Sequence, residues 1–544
     1  MNSKNNRTIV KRLIALAIGM MLVFTGCAGG TTQDGSSSSA AETETTVAQS
    51  YDAAGKSEMF TDRDLSGSYD EAAALKIALN SNSASITSEG TETKSSGVSI
   101  DGSIITIKAE GTYIFSGTLD DGMIIVDADD SAKVQIVLNG AEITSKTSAA
   151  IYVKSADKVF VTTAQGTQNT LANGGTFTPI DDNNIDGAVF AKDDITFNGS
   201  GNLTVTSPAG HGIVGKDDVK IAGGSINVTA AKHGVQANDS VRITSCEAVI
   251  NSGTDGIHVS DDSDDEKESC FYIADGKVTI EAGDDGIHAT DTFTAEGGEI
   301  TVANSNEGLE ALNINISDGN IDVTAKDDGL NASGTNGSIV ISGGDIRVKA
   351  GGDGFDSNGS IVISGGKTVV EGPSQGDTSV IDYNSTGVIS GGIFIGTGGA
   401  GMAQNFSSAE NQGLIAVSVG NQQAGSTVTL KDAGGNVIAE QTPDLDYAAV
   451  YISTPDMTTG SEYTLTAGSY SETIELTESI YSNLSGGFGG KGGLQEGSGG
   501  RMHGNKQGEP RDGMHGGSDA ETGASQIPDN SDGSEQPSSG GAEV

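Results

Sequence analysis

Two series of polar side chains recur along the middle of the chain, and their chemistry is that of metal ligands. One series stands immediately before a repeating glycine, and we call it the anchor ladder. The other stands two residues after that glycine, and we call it the strand ladder. The anchor ladder comprises Asp186, His211, His233, Asp255, Asp285, Glu307, Asp328 and Asp353, and the strand ladder comprises Val214, Gln236, His258, His288, Glu310, Asn331 and Asp356.

Oxygen donors are densest between residues 307 and 382, and this density predicts a calcium site. Stacked carboxylates repel one another unless a cation lies between them, and Ca²⁺ takes six to eight oxygen ligands. The alternative is a solvated acidic face that binds no ion. The predicted ligands are Glu307, Glu310, Asp327, Asp328, Asn331, Asp353, Asp356 and Asp382.

Four of the six histidines also fall in these ladders. The repeat places them as two neighbouring pairs, His211 over His233 and His258 over His288. Imidazole pairs are able to hold a transition metal. Neutral surface histidines among carboxylates are the commoner arrangement, so the sequence leaves both interpretations open.

A third series stands five residues after the glycine, and we call it the corner ladder. Asp, Asn and Gly tolerate left-handed backbone, which a coil corner would require in each repeat. We therefore interpret this series as structural, with a metal-binding stripe as the alternative. Its members are Asp217, Asp239, Asp261, Asp291, Asn313, Gly334 and Gly359.

The elements that position these ladders are short strands. The glycine recurs every 21 or 22 residues, with longer steps where a loop is added, and apolar runs such as 219–221 and 339–341 lie between. Strand-length segments at this period predict an all-β fold, a parallel β-helix over residues 98–395. Its coils stack roughly 4.8 Å apart, so equivalent residues form columns on the outside.

The N-terminal residues have the features of a processing signal. Residues 1–26 combine basic residues, an apolar run from residue 13 to residue 24, and a Thr-Gly ending before Cys27. This ending resembles a bacterial lipobox, which implies lipidation of Cys27 and an extracellular protein anchored to the bacterial cell membrane. Plain secretion is the alternative. Residues 27–57 are rich in Ser and Thr and predict a flexible tether.

Other segments flank the predicted solenoid. Residues 58–97 form a predicted N-terminal cap region, with a helix over residues 69–79 where Ala and Leu dominate. Residues 396–482 predict a small antiparallel β module, because short strands alternate with turns. Residues 483–544 are rich in Gly and Ser without apolar periodicity, which predicts disorder.

Charge and cysteine content narrow the classes of partner. A net charge of −45 without a basic cluster beyond the signal argues against nucleic acid and anionic lipid surfaces, which leaves the lipid anchor as the only membrane contact. The oligomeric state is left open. The repeat places Cys246 opposite Gly224 and Gly276, and Cys270 opposite Ser240, so these cysteines are predicted to be unpaired.

Several of these segments resemble one family. Residues 59–65, with the sequence Met-Phe-Thr-Asp-Arg-Asp-Leu, the acidic run 118–130, and the series 307–310, 328–331 and 353–356 are similar to the clostridial carbohydrate-binding β-helix proteins. The resemblance covers about residues 57 to 480. It implies a right-handed parallel β-helix related to pectate lyases, bound calcium, and binding of plant cell-wall polysaccharides. His258, Asp285 and His288 then become candidates for contacting the carbohydrate.

The residues constrain the ligand and the chemistry further. The chain has no Trp and its aromatic content is 4%, which argues against a flat stacking platform and favours a uronate-containing or hydroxyl-rich polymer. A lyase would need an Arg or Lys base beside calcium. Arg242 and Arg347 lie on strands far from the acidic patch, and Lys326 is the one base near it. We therefore expect non-catalytic binding, with a polysaccharide lyase or hydrolase and a structural adhesin as alternatives.

Overall fold

The computed structural model describes residues 59–87, 97–260, 268–373 and 378–484. Within these ranges the chain is almost entirely β, with one short helix at Asp62–Leu65. Strands of the solenoid pair in parallel with the equivalent strands of the coils before and after them. The predicted all-β parallel β-helix is confirmed.

The solenoid strands follow the repeat closely. In chain order they are Ile104–Ile107, Gly111–Leu119, Met123–Asp127, Lys133–Ser145, Ile151–Ser155, Lys158–Thr163, Gln168–Asn173, Gly187–Ala191, Asp194–Gly199, Asn202–Ser207, His211–Gly215, Asp218–Ile221, Ser225–Ala230, Val235–Ala237, Ser240–Ile243, Glu247–Ser252, Ile257–Val259, Cys270–Ile273, Lys277–Glu281, Ile287–Asn304, Leu309–Thr324, Leu330–Ala332, Ser338–Ile341, Asp345–Lys349, Phe355–Ser357, Ser360–Glu371, Ile381–Tyr383, Thr386–Gly398 and Ser408–Ala409.

These strands form three faces. The face that carries the strand ladder, here called the ladder face, begins at Ile104–Ile107 and ends at Ile381–Tyr383. Its central strands have a buried–intermediate–buried pattern, as in Ile257–Val259. Because side chains alternate across a strand, the middle residue of each such strand points outward and belongs to the strand ladder.

The core is a continuous column of aliphatic side chains inside the solenoid. It extends from Leu75 to Tyr451, and most of its Ile, Val and Leu residues are fully buried. Phe271 and Phe293, on successive coils, stack with ring centroids 5.1 Å apart. Equivalent residues thus meet their counterparts one coil away, which is why the hydrophobic pattern of the sequence repeats so strictly.

The anchor glycines are required by close approach between coils. A Cβ on Gly308 would lie 2.3 Å from the carbonyl oxygen of Gly329, in the next coil. Gly308 N in turn donates to Asp328 O at 2.9 Å. Only glycine permits this spacing, so the repeated glycine marks the place where the backbones of adjacent coils meet.

The corner ladder does not have the left-handed backbone that the sequence predicts for it. The members in the described residues occupy corners, but none of them has a positive φ, so that reason for their identity is wrong. They interact with neighbouring coils instead: Asp291 Oδ2 accepts a bond from Ser269 N at 2.7 Å, and Asn313 Oδ1 accepts one from Ser338 Oγ at 2.9 Å. Asp261 lies outside the described residues. Positive φ recurs at a different corner, for example 74° at Gly224.

The helix predicted over residues 69–79 is also wrong. Leu75–Ser81 is a strand that pairs in parallel with Gly111–Leu119 and antiparallel with Ser83–Ile86. Leu75, Ile77 and Leu79 are buried at a period of two, and this alternation prevails over the helical propensity of the alanines before it. Val98–Asp101 pairs antiparallel with Ile104–Ile107 and completes this end of the solenoid.

A buried ionic cluster attaches the N-terminal segment to the solenoid. Asp64 is fully buried, with Oδ1 2.8 Å from Lys158 Nζ and 2.8 Å from Thr196 Oγ1. Lys220 Nζ lies 3.8 Å from Asp64 Oδ2. Thr61 and Asp64 form a reciprocal capping box around the short helix. The 59–65 motif thus has a structural role, because the carboxylate of Asp64 pairs with two buried lysines.

A separate module follows the last coil. Four antiparallel strands, Val437–Gln441, Val428–Asp432, Glu462–Ala467 and Tyr470–Glu475, form their own sheet in that order. Gly413–Gln422 and Tyr447–Thr454 continue the solenoid sheet antiparallel, and Ile480–Ser482 pairs with Leu414–Ala416. The predicted antiparallel C-terminal module is therefore present.

Both described cysteines are free, as predicted. The registers place Cys270 opposite Ser240 and Cys246 beside Gly224 and Gly276. The predicted signal peptide, Cys27, the tether and most of the C-terminal tail lie outside the described residues.

Candidate functional site

The strand pairings bring the ladder residues into continuous columns. In the strand ladder, Gln236 lies opposite His258, which lies opposite His288. The column continues through Glu310, Asn331, Asp356 and Asp382. One predicted member of the anchor ladder is out of register: Gly187, not Asp186, pairs with His211.

The anchor ladder has a structural role that the sequence did not reveal. Asp285 Oδ1 accepts a hydrogen bond from Glu307 N at 3.3 Å, and Asp328 Oδ1 accepts one from Asp353 N at 2.7 Å. Asp255 Oδ1 accepts in the same way from Asp285 N, and Asp353 Oδ1 from Ser379 N. One oxygen of each of these four carboxylates thus holds the next coil in place.

The predicted calcium ligands lie on successive coils at the C-terminal half of the ladder face. Asn331 Nδ2 donates to Glu307 Oε2 at 2.8 Å. Asn331 is only 8% exposed, yet its Oδ1 accepts no hydrogen bond from any described residue. A buried amide oxygen without a donor is costly, and a cation is one group that satisfies it.

Two further carboxylates converge beside this cluster. A Cβ on Gly352 would lie 2.4 Å from both Asp327 Oδ1 and Asp328 Oδ1, so glycine keeps that space open. Asp327 and Asp382 are exposed, whereas Asp328, Asp353 and Asp356 are half-buried. The donor set therefore combines half-buried inner oxygens with exposed outer ones, and all of them are hard ligands.

Burial and mutual repulsion raise the pKa values of the inner acids. Burial is the larger cause, and it raises the pKa of Glu307 to about 7, although the bond from Asn331 opposes this. Burial and the charges of Asp328, Asp382 and Asp356 raise the pKa of Asp353 to about 7. The pKa of Asp356 is raised to about 6 for similar reasons. Near neutral pH these acids are therefore only partly ionised, because burial and neighbouring carboxylates disfavour their charged forms.

Glu310 faces the histidine side of the ladder. Its Oε2 lies 2.8 Å from His288 Nδ1, and Asp285 Oδ2 lies 3.7 Å from the same nitrogen. Burial alone would lower the pKa of His288, but the bonds to these two carboxylates raise it to about 10. An imidazolium therefore neutralises the carboxylates at this coil, and Glu310 lies at the boundary between the histidines and the oxygen cluster.

Both predicted histidine pairs are present, and a third contact joins them into a single stack of four rings. Ring centroids are 4.9 Å apart for His211 and His233, 4.3 Å for His233 and His258, and 4.9 Å for His258 and His288. The step from His233 to His258 crosses from the anchor ladder to the strand ladder. Column alignment alone does not predict this crossing, because it depends on the direction of the side chains.

The proposed carbohydrate contacts differ in accessibility. The side chains of His258 and His288 are 23% and 24% exposed, whereas Asp285 is buried and bonded to the next coil. The imidazoles are thus able to meet a ligand on this face. Asp285 instead holds the backbone of the next coil at Glu307 and lies beside His288.

No arginine supplies a base beside the acidic cluster in the described residues. Arg242 NH2 lies 3.4 Å from Asp218 Oδ2, on a different face. Arg347 lines a cavity with Lys349, Glu371 and Asp444, between the solenoid and the C-terminal module. Lys326 is exposed beside Asp327.

The raised pKa of Asp353 predicts a stability difference that depends on pH. Without calcium, Asp353→Asn should increase the free energy of unfolding above pH 7 by about 2 kcal/mol, and the gain should vanish near pH 4. The reason is that the unfolded carboxyl ionises near its usual pKa of 3.8 and the folded one only near 7, so wild-type stability falls as pH rises between these values. Urea unfolding in chelator at pH 4, 6 and 8 measures this.

The amide at residue 353 still accepts the bond from Ser379 N, so the substitution preserves the coil contact. Asp327→Asn, on the exposed neighbour, is the control and should produce a smaller gain. A gain at residue 353 that is the same at all three pH values, or a loss at pH 8, would contradict the electrostatic explanation.

Comparison with known proteins shows the family of this chain. The family model of carbohydrate-binding domain-containing proteins matches residues 101–354 and 296–388, together more than half of the chain. A carbohydrate-binding domain-containing protein of Acetivibrio thermocellus is 40% identical over 136 residues, which are 25% of this chain and 48% of the relative. The matched region thus spans about half the length of that relative.

A solved structure of a polysaccharide lyase-like protein from C. thermocellum, a gadolinium derivative, is also similar. It is 33% identical, with a TM-score of 0.41, and the match covers 45% of this chain and 96% of that one. With the repeated ladder face and the family match in place, the class is clear: a β-helical protein of a carbohydrate-binding family. The chain belongs to the carbohydrate-binding domain-containing protein family.

Proposed function

We propose that the chain is a calcium-dependent carbohydrate-binding protein of the bacterial cell surface that holds an extracellular polysaccharide without cleaving it. The observation that carries this proposal is the row of oxygen donors on the ladder face, in which the buried Oδ1 of Asn331 accepts no hydrogen bond from any described residue. Membership in a carbohydrate-binding family supports the choice of ligand class.

Calcium fits the residues that are present. The donors are carboxylate and amide oxygens from successive coils: Glu307, Glu310, Asp327, Asp328, Asn331, Asp353, Asp356 and Asp382. Bound Ca²⁺ would neutralise these acids and offer its remaining coordination positions to hydroxyl or carboxylate oxygens of a sugar. An acidic protein could thereby hold an acidic polymer such as a polyuronate.

The non-catalytic assignment rests on the surroundings of this cluster. The described arginines of the solenoid lie on other faces or at the C-terminal module. Lys326 is the only base adjacent in sequence to a predicted ligand. A lyase would have to use it to remove a proton from the substrate, and for this reason product analysis is part of the test.

The test is a pull-down on a panel of polysaccharides, with calcium and with chelator. Retention that depends on calcium and yields no unsaturated or reducing-end product supports the proposal. Product formation would make the protein an enzyme. Failure to bind any polymer would favour a structural or protein-binding surface role instead.

The cell-surface assignment rests on the predicted lipidation of Cys27. Cys27→Ala should move the protein from the detergent-extractable membrane fraction into the medium, because the two acyl chains of an anchor would be lost. Immunoblotting of fractionated cells measures this, and unchanged fractionation would contradict the anchor. Within the described residues, no helix is long and apolar enough to cross a membrane.

A further inference from the structure

A second group of potential ligands lies further towards the N-terminus on the ladder face. Asp255 Oδ2 is 2.6 Å from His258 Nδ1 and 3.3 Å from His233 Nδ1. One donor atom from each of these three residues lies within 4.8 Å of the others. Two imidazoles and one carboxylate therefore converge from two successive coils onto one point.

The contacts of His233 Nδ1 fix the position of this ring beside Asp255. Asp255 N donates to His233 Nδ1 at 3.3 Å, and Thr254 Oγ1 lies 2.9 Å from the same nitrogen. His233 Nδ1 and Asp255 Oδ2 are 3.3 Å apart. A metal ion between them would bind a lone pair of each atom, in place of a proton on the imidazole.

The surroundings hold these ligands in place. Asp255 is buried, and its Oδ1 accepts a bond from Asp285 N at 3.2 Å, which fixes the carboxylate. The His233 ring lies between His211 and His258 in the stack. The side chains of His233 and His258 are 20% and 23% exposed, so an ion has access from solvent.

We propose that His233, Asp255 and His258 bind a divalent transition metal ion, of which Zn²⁺ is the best fit, at a site separate from the calcium cluster. Imidazole nitrogens favour Zn²⁺ and its neighbours in the transition series, whereas Ca²⁺ prefers oxygen. Zn²⁺ lies 2.0 to 2.2 Å from such ligands and takes four, so the fourth position stays open.

The two ends of the ladder face thus differ in metal selectivity. His258 and Asn331 are three coils apart in the strand ladder, which corresponds to roughly 14 Å at the usual strand spacing. Between them, His288 bonds to Glu310 and forms a longer ion pair with Asp285, so it separates the nitrogen donors from the oxygen donors. The open position on the metal would face the same surface as the proposed polysaccharide site.

The test is equilibrium dialysis of Zn²⁺ with the full chain, without a polyhistidine tag and in saturating calcium. We expect one tightly bound Zn²⁺, and His233→Ala and His258→Ala should each weaken it by at least ~100-fold. Gln236→Ala is the matched control, because Gln236 precedes His258 in the strand ladder and is half-exposed but not a ligand. His258→Gln serves as the second variant if the alanine variant does not fold.

Spectroscopy identifies the ligands, and a second variant separates this site from the calcium cluster. Cu²⁺ bound in place of Zn²⁺ should show electron paramagnetic resonance coupling to two imidazole nitrogens. Asp356→Asn should weaken calcium binding and leave Zn²⁺ binding unchanged. Absence of saturable Zn²⁺ binding, or equal affinity in wild type and both histidine variants, would overturn this proposal without affecting the calcium one.

Discussion

Millimolar Ca²⁺ should raise the melting temperature of the chelator-treated protein by roughly 5 °C, and Asp356→Ala should remove most of that gain. A ligand that binds only the folded state stabilises it by about 2.7 kcal/mol at a hundredfold excess over its Kd, and each kcal/mol corresponds to roughly 2 to 4 °C for a domain of this kind. The physical source is the cluster around Asn331, where burial raises the pKa of Asp356 to about 6. Differential scanning calorimetry in EGTA and in calcium measures the effect.

The control for this prediction is another acid on the solenoid. Asp217 lies at the corner between His211–Gly215 and Asp218–Ile221, outside both functional ladders. Asp217→Asn should preserve the calcium-dependent gain. If Asp217→Asn and Asp356→Ala diminish the gain equally, or if calcium leaves the melting temperature unchanged, the distinction between structural and metal-binding ladders is wrong.

Asp64→Ala should reduce the free energy of unfolding by about 3 kcal/mol, because it leaves Lys158 and Lys220 buried with weaker partners. Lys158 retains only Asp194 at 3.6 Å, and Lys220 retains Asp218 at 3.4 Å. Burial alone would raise the pKa of Asp64, but bonds from Lys158, Thr61 and Thr196 lower it to about 2. Its contribution should therefore persist above pH 4 and disappear as pH falls towards 2.

Urea unfolding measures the loss, and limited proteolysis shows whether the segment around residues 59–70 detaches first. The control is a variant in which Asp64→Leu, Lys158→Met and Lys220→Met remove all three charges together. It should be more stable than Asp64→Ala alone, since no buried charge is left unpaired. If Asp64→Ala is as stable as the wild-type protein, the buried ionic cluster contributes little to the free energy of unfolding.

The repeat could be predicted from sequence because every coil must satisfy the same contacts. A glycine is needed wherever adjacent backbones meet, as at Gly308, and apolar residues must stack on their equivalents, as Phe271 does on Phe293. Spacing alone therefore fixes the strand ladder from Gln236 to Asp382. The unpaired cysteines follow from the same alignment.

What the sequence did not predict depends on side-chain direction and on contacts between coils. The crossing from His233 to His258 is invisible to column alignment, and the bond from Asp353 N to Asp328 Oδ1 has no signature beyond an acid before glycine. The alanines before Leu75–Ser81 favour a helix, although this segment is a strand. The alternation of Leu75, Ile77 and Leu79 is the sequence feature that indicates the strand.

The most direct test of the proposed function is polysaccharide binding by the ladder variants. A polymer retained by the wild-type protein is titrated with wild type, Asp356→Ala and Asp217→Asn, each in calcium and in EGTA, and bound protein is measured by sedimentation. We predict binding by wild type and Asp217→Asn in calcium only, and binding weakened at least tenfold for Asp356→Ala. Equal binding by all three proteins, or binding that EGTA leaves unchanged, would contradict a calcium-dependent carbohydrate site on this face.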